Sequence, residues 1–213
     1  MKKTIIVLVA LILSSIVYAN EAKTYITIAY NYGSTTERAE LNGVKTQTEL
    51  ISNGLDLSVS YYGVKNWGFY LNTDYNFPTK ATVTTKGISV TVTDSDWDSS
   101  MLLSVILGPT YKYDISPKFE LFGAAGFHLA QYSMATEYVG TINYSFGIGG
   151  DIGVRFLPSN HFYLTAGSIL SHDFYYKGEI RTAYNTTKND GSYDFTSFRP
   201  YLGIGFTFSE IIK

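Results

Sequence analysis

Apolar and polar residues alternate along most of this chain, in segments separated by turn-forming residues. In the segment from Tyr144 to Phe156, every second side chain is apolar, apart from one glycine, and the positions between hold glycine, serine, Asp151 and Arg155. A period of two residues is the pattern of a β-strand with two unlike faces. The same pattern predicts eight strands, at Thr24–Tyr32, Thr46–Tyr62, Gly68–Phe77, Ser99–Asp114, Phe119–Ser133, Thr141–Phe156, His161–Tyr176 and Phe195–Phe208.

The connections between these strands alternate between short and long. Three are tight turns rich in Pro, Asn, Ser and Gly, with the sequences GVKNW, ISPK and LPSN. Short turns at one end and longer connections at the other predict an all-β fold, an eight-stranded antiparallel up-and-down barrel with both termini at the short-turn end. The four other connections are predicted to be mainly polar loops, at Gly33–Lys45, Pro78–Asp98, Ala135–Gly140 and Lys177–Asp194.

The polar faces of the strands indicate which side of the barrel is outside. In Phe119–Ser133 and Phe195–Phe208 these faces hold small and aromatic side chains and few charges. A soluble barrel would expose such a face to water and would carry many Lys, Glu and Arg there. Charged residues make up 16% of the chain, below the ~25% typical of soluble domains. Together with aromatic residues near both strand ends, this predicts a transmembrane barrel with a polar lumen and a lipid-facing apolar exterior.

The N-terminus has the pattern of a secretory signal peptide. Lys2 and Lys3 precede an apolar run, Ile5–Leu13, which is followed by the small-residue ending Val17-Tyr18-Ala19. We therefore expect a signal peptide at residues 1–19, removed on export, and one barrel domain at 20–213. The chain has no cysteine, and its 18 acidic against 16 basic residues give no indication of nucleic-acid binding. No pattern predicts a cofactor or a metal site.

With these features the chain resembles the small eight-stranded outer-membrane proteins, the OmpX, Ail and Opa group and the transmembrane domain of OmpA. The resemblance covers the chain after the signal peptide and rests on strand pattern, turns and aromatic positions. It implies a location in the outer membrane of a Gram-negative-type (diderm) bacterium, with outer-membrane lipids and the barrel-assembly machinery as partners. Barrels of this group usually end on an aromatic residue used as an assembly signal. Here Phe206 and Phe208 are instead followed by Ser209–Lys213.

Three charged residues are predicted to form a cluster near the periplasmic end of the lumen. Lys112 and Glu120 are about equally far from the Ser116-Pro117 turn, so they should be near neighbours across that hairpin. Arg155 reaches a similar height on the next strand. An ion cluster buried in a narrow lumen is strongly destabilised when one partner is removed, because the other charge is left unpaired.

A second set of luminal charges is predicted nearer the middle of the barrel. Asp56 and Asp74 are about equidistant from the turn between their strands, and Asp151 should lie at a comparable height. Carboxylates at one level repel each other unless a proton, a cation or an arginine intervenes. Arg199 is a candidate partner, expected nearer the outer end. This layer is interpreted either as a hydrogen-bonded plug or as a polar gate or cation-binding constriction.

Glycines on the luminal faces of the sixth and eighth strands are expected to make room for large side chains. An eight-stranded barrel has an interior only just wide enough for side chains to fill. The expected occupants of that room are Tyr70, Phe122, His128 and Tyr201.

The resemblance implies a surface protein that displays four loops, with adhesion or binding of a host factor or other extracellular ligand as its role. The alternative is a narrow pore for small or hydrophobic solutes, as in OmpW-like barrels. Such a pore requires an apolar lumen, and the predicted luminal charges argue against one. A lipid-modifying enzyme ranks third. The string nearest the H-x-S pattern of lipid A deacylases is Ser171-His172-Asp173, where adjacent strand residues point to opposite faces, so no catalytic residue is predicted.

Overall fold

The computed structural model describes residues 22–41, 43–137, 139–182, 186–189 and 192–210. The predicted signal peptide lies outside these residues. Within them, a short 3-10 helix lies at Asp94–Asp96, and no helix is long and apolar enough to cross a membrane. The strands are β1 Ala22–Leu41, β2 Val44–Val64, β3 Trp67–Thr85, β4 Ile88–Thr93, β5 Ser99–Ser116, β6 Phe119–Ala135, β7 Val139–Phe156, β8 Phe162–Thr182, β9 Thr186–Asn189 and β10 Ser192–Glu210.

The eight long strands close into a barrel. Each pairs antiparallel with the next long strand along the chain, and β10 pairs with both β8 and β1. The first and last strands pair from Ala22 opposite Glu210 to Glu40 opposite Ser192. The short strands β4 and β9 are additions at the edges of β3 and β8. The predicted fold, an eight-stranded antiparallel up-and-down barrel, is confirmed.

Alternate residues of the long strands face outward and inward, as the pattern predicts. On β7, Ile152 is 62% exposed, whereas Arg155 is 1% exposed. On β10, Leu202 is 69% exposed and Arg199 is 1% exposed. At these positions the barrel wall therefore buries charged side chains and exposes aliphatic ones, and such an exterior is stable in lipid.

Aromatic side chains frame this apolar exterior at both ends. At the short-turn end, Trp67 contacts Tyr111 with ring centroids 4.9 Å apart. At the opposite end, Tyr75 contacts Phe77 in an edge-to-face pair at 4.8 Å. Such rings suit the two membrane interfaces. We call the end beyond Phe77 the hairpin end.

Three of the four predicted loops are wrong, because the strands continue through most of their length. In Gly33–Lys45, β1 and β2 stay paired up to Leu41 opposite Val44. In Pro78–Asp98, β3 continues and turns back as β4, and in Lys177–Asp194, β8 turns back as β9. Beyond the membrane the outer face of the sheet meets water instead of lipid, so the apolar alternation weakens, although Leu50, Ala81 and Leu102 remain buried on the inner face. The threonines and valines still favour a paired, extended backbone.

Luminal glycines make room for large neighbours, as expected. A Cβ atom at Gly153 would lie 2.8 Å from the Phe122 ring, and one at Gly149 would lie 3.2 Å from the His128 Cβ atom. Tyr201 instead fills the space over Gly167 of β8, where a Cβ atom would come within 2.5 Å of its hydroxyl oxygen. In the lumen, a large aromatic side chain thus occupies the space that a side chain at each of these glycines would fill.

Gly153→Leu should destabilise the barrel by about 1–3 kcal/mol, because the added side chain overlaps the Phe122 ring in a filled core. Gly140→Leu, on the same strand, is the matched control, since a Cβ atom there has no neighbour within 4 Å. The measurement is the urea midpoint of the refolded protein in lipid vesicles. Equal losses in the two variants would contradict the packing role.

Candidate functional site

The candidate functional site is the lumen, where polar and charged side chains form three layers. We name them from the short-turn end. The lower layer surrounds Glu120 and Arg155, the middle layer holds Asp56, Asp74, Asp151 and Arg199, and the upper layer surrounds His128 and Asp173. Six of these eight side chains were singled out from the sequence as luminal charges; only His128, which was noted for its bulk, and Asp173 were not.

Glu120 is the centre of the lower layer. Its carboxylate accepts a hydrogen bond from the Tyr25 hydroxyl at 2.7 Å and lies 3.2 Å from the Lys23 Nζ atom. The Lys112 Nζ atom lies 3.6 Å from the carboxylate and the Arg155 Nη1 atom 4.0 Å from it. The structure therefore brings Lys112, Glu120 and Arg155 together. Lys23 and Tyr25 were missed, because only closure of the barrel brings β1 across the lumen from β6.

Arg155 is enclosed by aromatic rings. Its guanidinium carbon lies 3.9 Å from the centre of the Phe122 ring and 4.3 Å from that of Tyr25. The guanidinium donates hydrogen bonds to the Tyr62 hydroxyl and to the Ser60 hydroxyl, at 3.3 and 3.1 Å. Cation–π contacts in a desolvated site offset part of the cost of burying a charge. Arg155 is thus held by rings and hydroxyl groups as well as by Glu120.

Asp74 and Arg199 form the central ion pair of the middle layer. The Arg199 Nε atom lies 2.7 Å from one carboxylate oxygen of Asp74. Asn31 and Asn76 each donate a hydrogen bond of 2.6 Å to the other oxygen. Arg199 also donates to the Ser104 hydroxyl at 3.2 Å. The arginine therefore neutralises Asp74 directly.

The two other aspartates of this layer have separate hydrogen-bond donors. Asp56 lies opposite Asp74 in the pairing of β2 with β3 and accepts a hydrogen bond from Asn72. Asp151 accepts hydrogen bonds from Tyr70 at 2.6 Å and from Tyr201 at 2.9 Å. Since these tyrosines come from β3 and β10, their side chains cross the lumen to reach β7. The layer ties opposite walls of the barrel together.

The upper layer pairs His128 with Asp173. The His128 Nδ1 atom lies 2.6 Å from one carboxylate oxygen of Asp173, and the Ser145 hydroxyl donates to the other at 2.5 Å. These residues line a cavity of about 20 Å³, close to the space of one water molecule. The contact was missed, because β6 and β8 are not adjacent strands. The sequence predicts only that the His128 side chain faces the lumen.

The order of these groups differs from that of a nucleophilic triad. In a triad the histidine lies between the serine and the carboxylate, whereas here Asp173 lies between Ser145 and His128. In the string Ser171-His172-Asp173 the first and third residues are buried and His172 is exposed, which confirms their opposite faces. In the described part of the chain, no group of three or more His, Cys, Asp or Glu side chains is arranged to hold a metal ion.

Glu37 lies on the inner face of β1, above the aromatic side chains of the hairpin end. Burial raises the pKa of its carboxyl group to about 7. The group therefore takes up its proton at a higher pH than an exposed glutamate does, which lowers the negative charge at the mouth of the lumen as the pH falls.

No family model and no curated protein match this sequence. Among solved structures, OprG from Pseudomonas aeruginosa matches with a TM-score of 0.60 and 14% identity, over 90% of this chain and 97% of that one. Neisserial surface protein A matches with a TM-score of 0.57 and 13% identity, over 87% and 97% of the two chains. This chain has the fold of the outer-membrane β-barrels. The outer-membrane protein AlkL matches similarly, with a TM-score of 0.55 and 12% identity, over 92% and 94%.

Glu120→Gln should lower the free energy of unfolding by about 3–5 kcal/mol, because the change leaves Arg155 buried without its counter-charge. Lys112 keeps its ion pair with Asp114 at 2.6 Å. Glu49→Gln is the control, since that carboxylate is exposed on β2. Urea unfolding in lipid vesicles measures both variants. A Glu120→Gln barrel as stable as the wild type would show that this cluster contributes nothing to the fold.

Proposed function

We propose that the protein is an integral outer-membrane barrel with a closed lumen that acts through the hairpins it displays on the outer side. Its role there is adhesion or the binding of an extracellular ligand. The barrel is the anchor, held by the lipids around its apolar exterior and inserted by the barrel-assembly machinery. The binding surface lies on the strands that continue past the membrane.

The observation that carries this proposal is the filling of the lumen. The lower and middle layers join opposite walls through hydrogen bonds or ion pairs, as between Tyr25 and Glu120 and between Tyr70 and Asp151. The upper layer joins β6, β7 and β8, and the cavity among its luminal side chains measures about 20 Å³. A solute crossing the barrel would have to separate buried ion pairs such as Asp74 with Arg199. Separating such a pair without replacing its contacts costs several kcal/mol. These features favour a plug over a conducting path.

The alternative function is a narrow pore for small or hydrophobic solutes. The middle layer argues against it, because an apolar solute would have to displace polar contacts to Asp56, Asp74 and Asp151 without making any in return. The alternative predicts conductance or solute flux through the wild-type barrel, so the two functions are separable by experiment.

In planar lipid bilayers, the wild-type protein should show no single-channel conductance steps, because a water path through the barrel would require luminal ion pairs such as Asp74 with Arg199 to separate. The double variant Tyr70→Ala with Tyr201→Ala removes the two side chains that cross to Asp151 and should conduct intermittently. A shift in gel mobility between unheated and boiled samples verifies that each protein is folded. Regular conductance steps from the folded wild type would establish the pore instead.

An epitope tag inserted after Gly43 should be labelled by antibody on intact cells, because this turn joins two strands that continue beyond the membrane at the hairpin end. The same tag inserted between Lys65 and Asn66, in the short turn between β2 and β3, should be labelled only after the outer membrane is permeabilised. If only the second tag were labelled on intact cells, the short turns would face outward and the hairpins inward. That result would remove the basis for a role in adhesion.

A further inference from the structure

The strand β4 has a free edge above the membrane. On one side it pairs with β3, from Thr85 opposite Ile88 to Lys80 opposite Thr93. The next long strand, β5, pairs with β3 only between Trp67 and Asn76, below this level. Among the described residues no strand pairs with the other side of β4. An exposed edge of unpaired N–H and C=O groups is a template for another strand.

The turn before β4 identifies which backbone groups are free. Lys86 and Gly87 have φ angles of 51° and 80°, which is the pattern of a two-residue type I′ hairpin turn. Its closing pair is hydrogen-bonded, so Ile88 bonds to β3 and the next residue, Ser89, points its backbone groups the other way. By the same alternation the backbone groups of Thr91 and Thr93 also point to the free edge.

A side-chain contact at Thr93 supports this assignment of the free backbone groups and marks the last residue of the free edge. The Thr93 N–H group donates a hydrogen bond of 2.7 Å to the Asp96 carboxylate, so it does not bond to β3 and is already occupied. The unpaired backbone groups of the edge are thus those of Ser89 and Thr91. The side chains beside them are apolar and exposed, with Ile88 at 72% and Val90 at 59%.

A second copy of the same strand complements this edge. In an antiparallel pair centred on Val90, Ser89 of each copy lies opposite Thr91 of the other, and their four free backbone groups bond to each other. A pair centred on Thr91 would need the N–H group of Thr93, which Asp96 already occupies. A twofold contact of this kind is self-complementary and closed.

The side chains agree with the same register. Val90 lies beside Val90 of the second copy, and Ile88 lies beside its Val92, so the apolar residues share one face. In this register the turn that holds Lys86 comes near the end of the second copy's strand, where Asp94 begins the 3-10 helix. The opposite charges at the two ends attract each other and favour this register.

The direction of the strand decides where the second copy stands. In every copy β3 leaves the membrane and β4 returns toward it. Two copies in one membrane therefore present parallel β4 strands, whereas copies in two facing membranes present antiparallel ones. We propose that β4 is a homophilic contact between copies of this protein on facing membranes. This inference rests on the proposed function, since it requires the hairpins to be displayed outside.

Vesicles that carry the purified protein should cluster, measured by light scattering and by energy transfer between two dye-labelled populations. One contact is small, but many copies per vesicle act together. Thr91→Pro should abolish clustering, because proline removes an N–H group of the free edge and an edge strand tolerates proline there. Thr91→Ser is the control, because it keeps that N–H group, and it should cluster like the wild type.

A cysteine tests the register directly, because the chain has no cysteine of its own. Val90→Cys should form a disulfide-linked dimer between the two vesicle populations, since residue 90 faces its own copy. Ile88→Cys, at the next position on the same face of β4, should form no disulfide-linked dimer, because residue 88 faces residue 92 of the second copy. Dimers that form only within one vesicle population would establish pairing in a single membrane and overturn the proposal.

Leakage of an entrapped dye from the same vesicles separates this inference from the proposed function. Tight vesicles that cluster, with clustering lost in Thr91→Pro, support both. Tight vesicles that stay dispersed contradict the homophilic contact and leave the closed lumen standing. Leaky vesicles that cluster contradict the closed lumen alone.

Discussion

The pairing of β1 with β10 is the contact on which the rest of the structure depends. A backbone N–H or C=O group in lipid has no water to bond to, so a sheet can cross a membrane only if its first and last strands join. This pairing extends from Ala22 to Glu40 on β1. Once it forms, one face of every strand is committed to lipid and the other to an enclosed space.

That enclosed space explains the composition of the inner faces. Eight strands leave a lumen that side chains fill, so a charge placed there must find its partner among side chains on other strands. Asp74 meets Arg199, Asp151 meets two tyrosines, and Arg155 is held by Glu120 and by aromatic rings. Each contact crosses between strands, and together they brace the barrel from within.

Above the membrane the sheet no longer has to form a closed barrel. Water can bond to unpaired backbone groups there, so β3 and β5 separate and β4 is added with one edge uncovered. The surface available for recognition is consequently made of strands rather than of irregular loops. Backbone direction and register distinguish one strand edge from another, and neither can be read from a short segment such as Ile88–Thr93 by its sequence alone.

The sequence alone determined the number of barrel strands, their inner and outer faces and the end at which the chain turns sharply. It did so because lipid and lumen impose opposite demands on adjacent residues, which leaves a period of two in the chain. It also determined which of Asp56, Asp74, Lys112, Glu120, Asp151, Arg155 and Arg199 face inward. Their partners depended on the tertiary structure.

Only the closed barrel decided those partners, because it places strands far apart in sequence across a narrow lumen. Lys23 and Tyr25 reach Glu120, and His128 meets Asp173, through contacts that no local pattern encodes. The hairpins beyond the membrane were also hidden from the pattern. Where the outer face of a strand meets water instead of lipid, the apolar alternation is too weak to follow, and only backbone pairing in three dimensions shows that the strand continues.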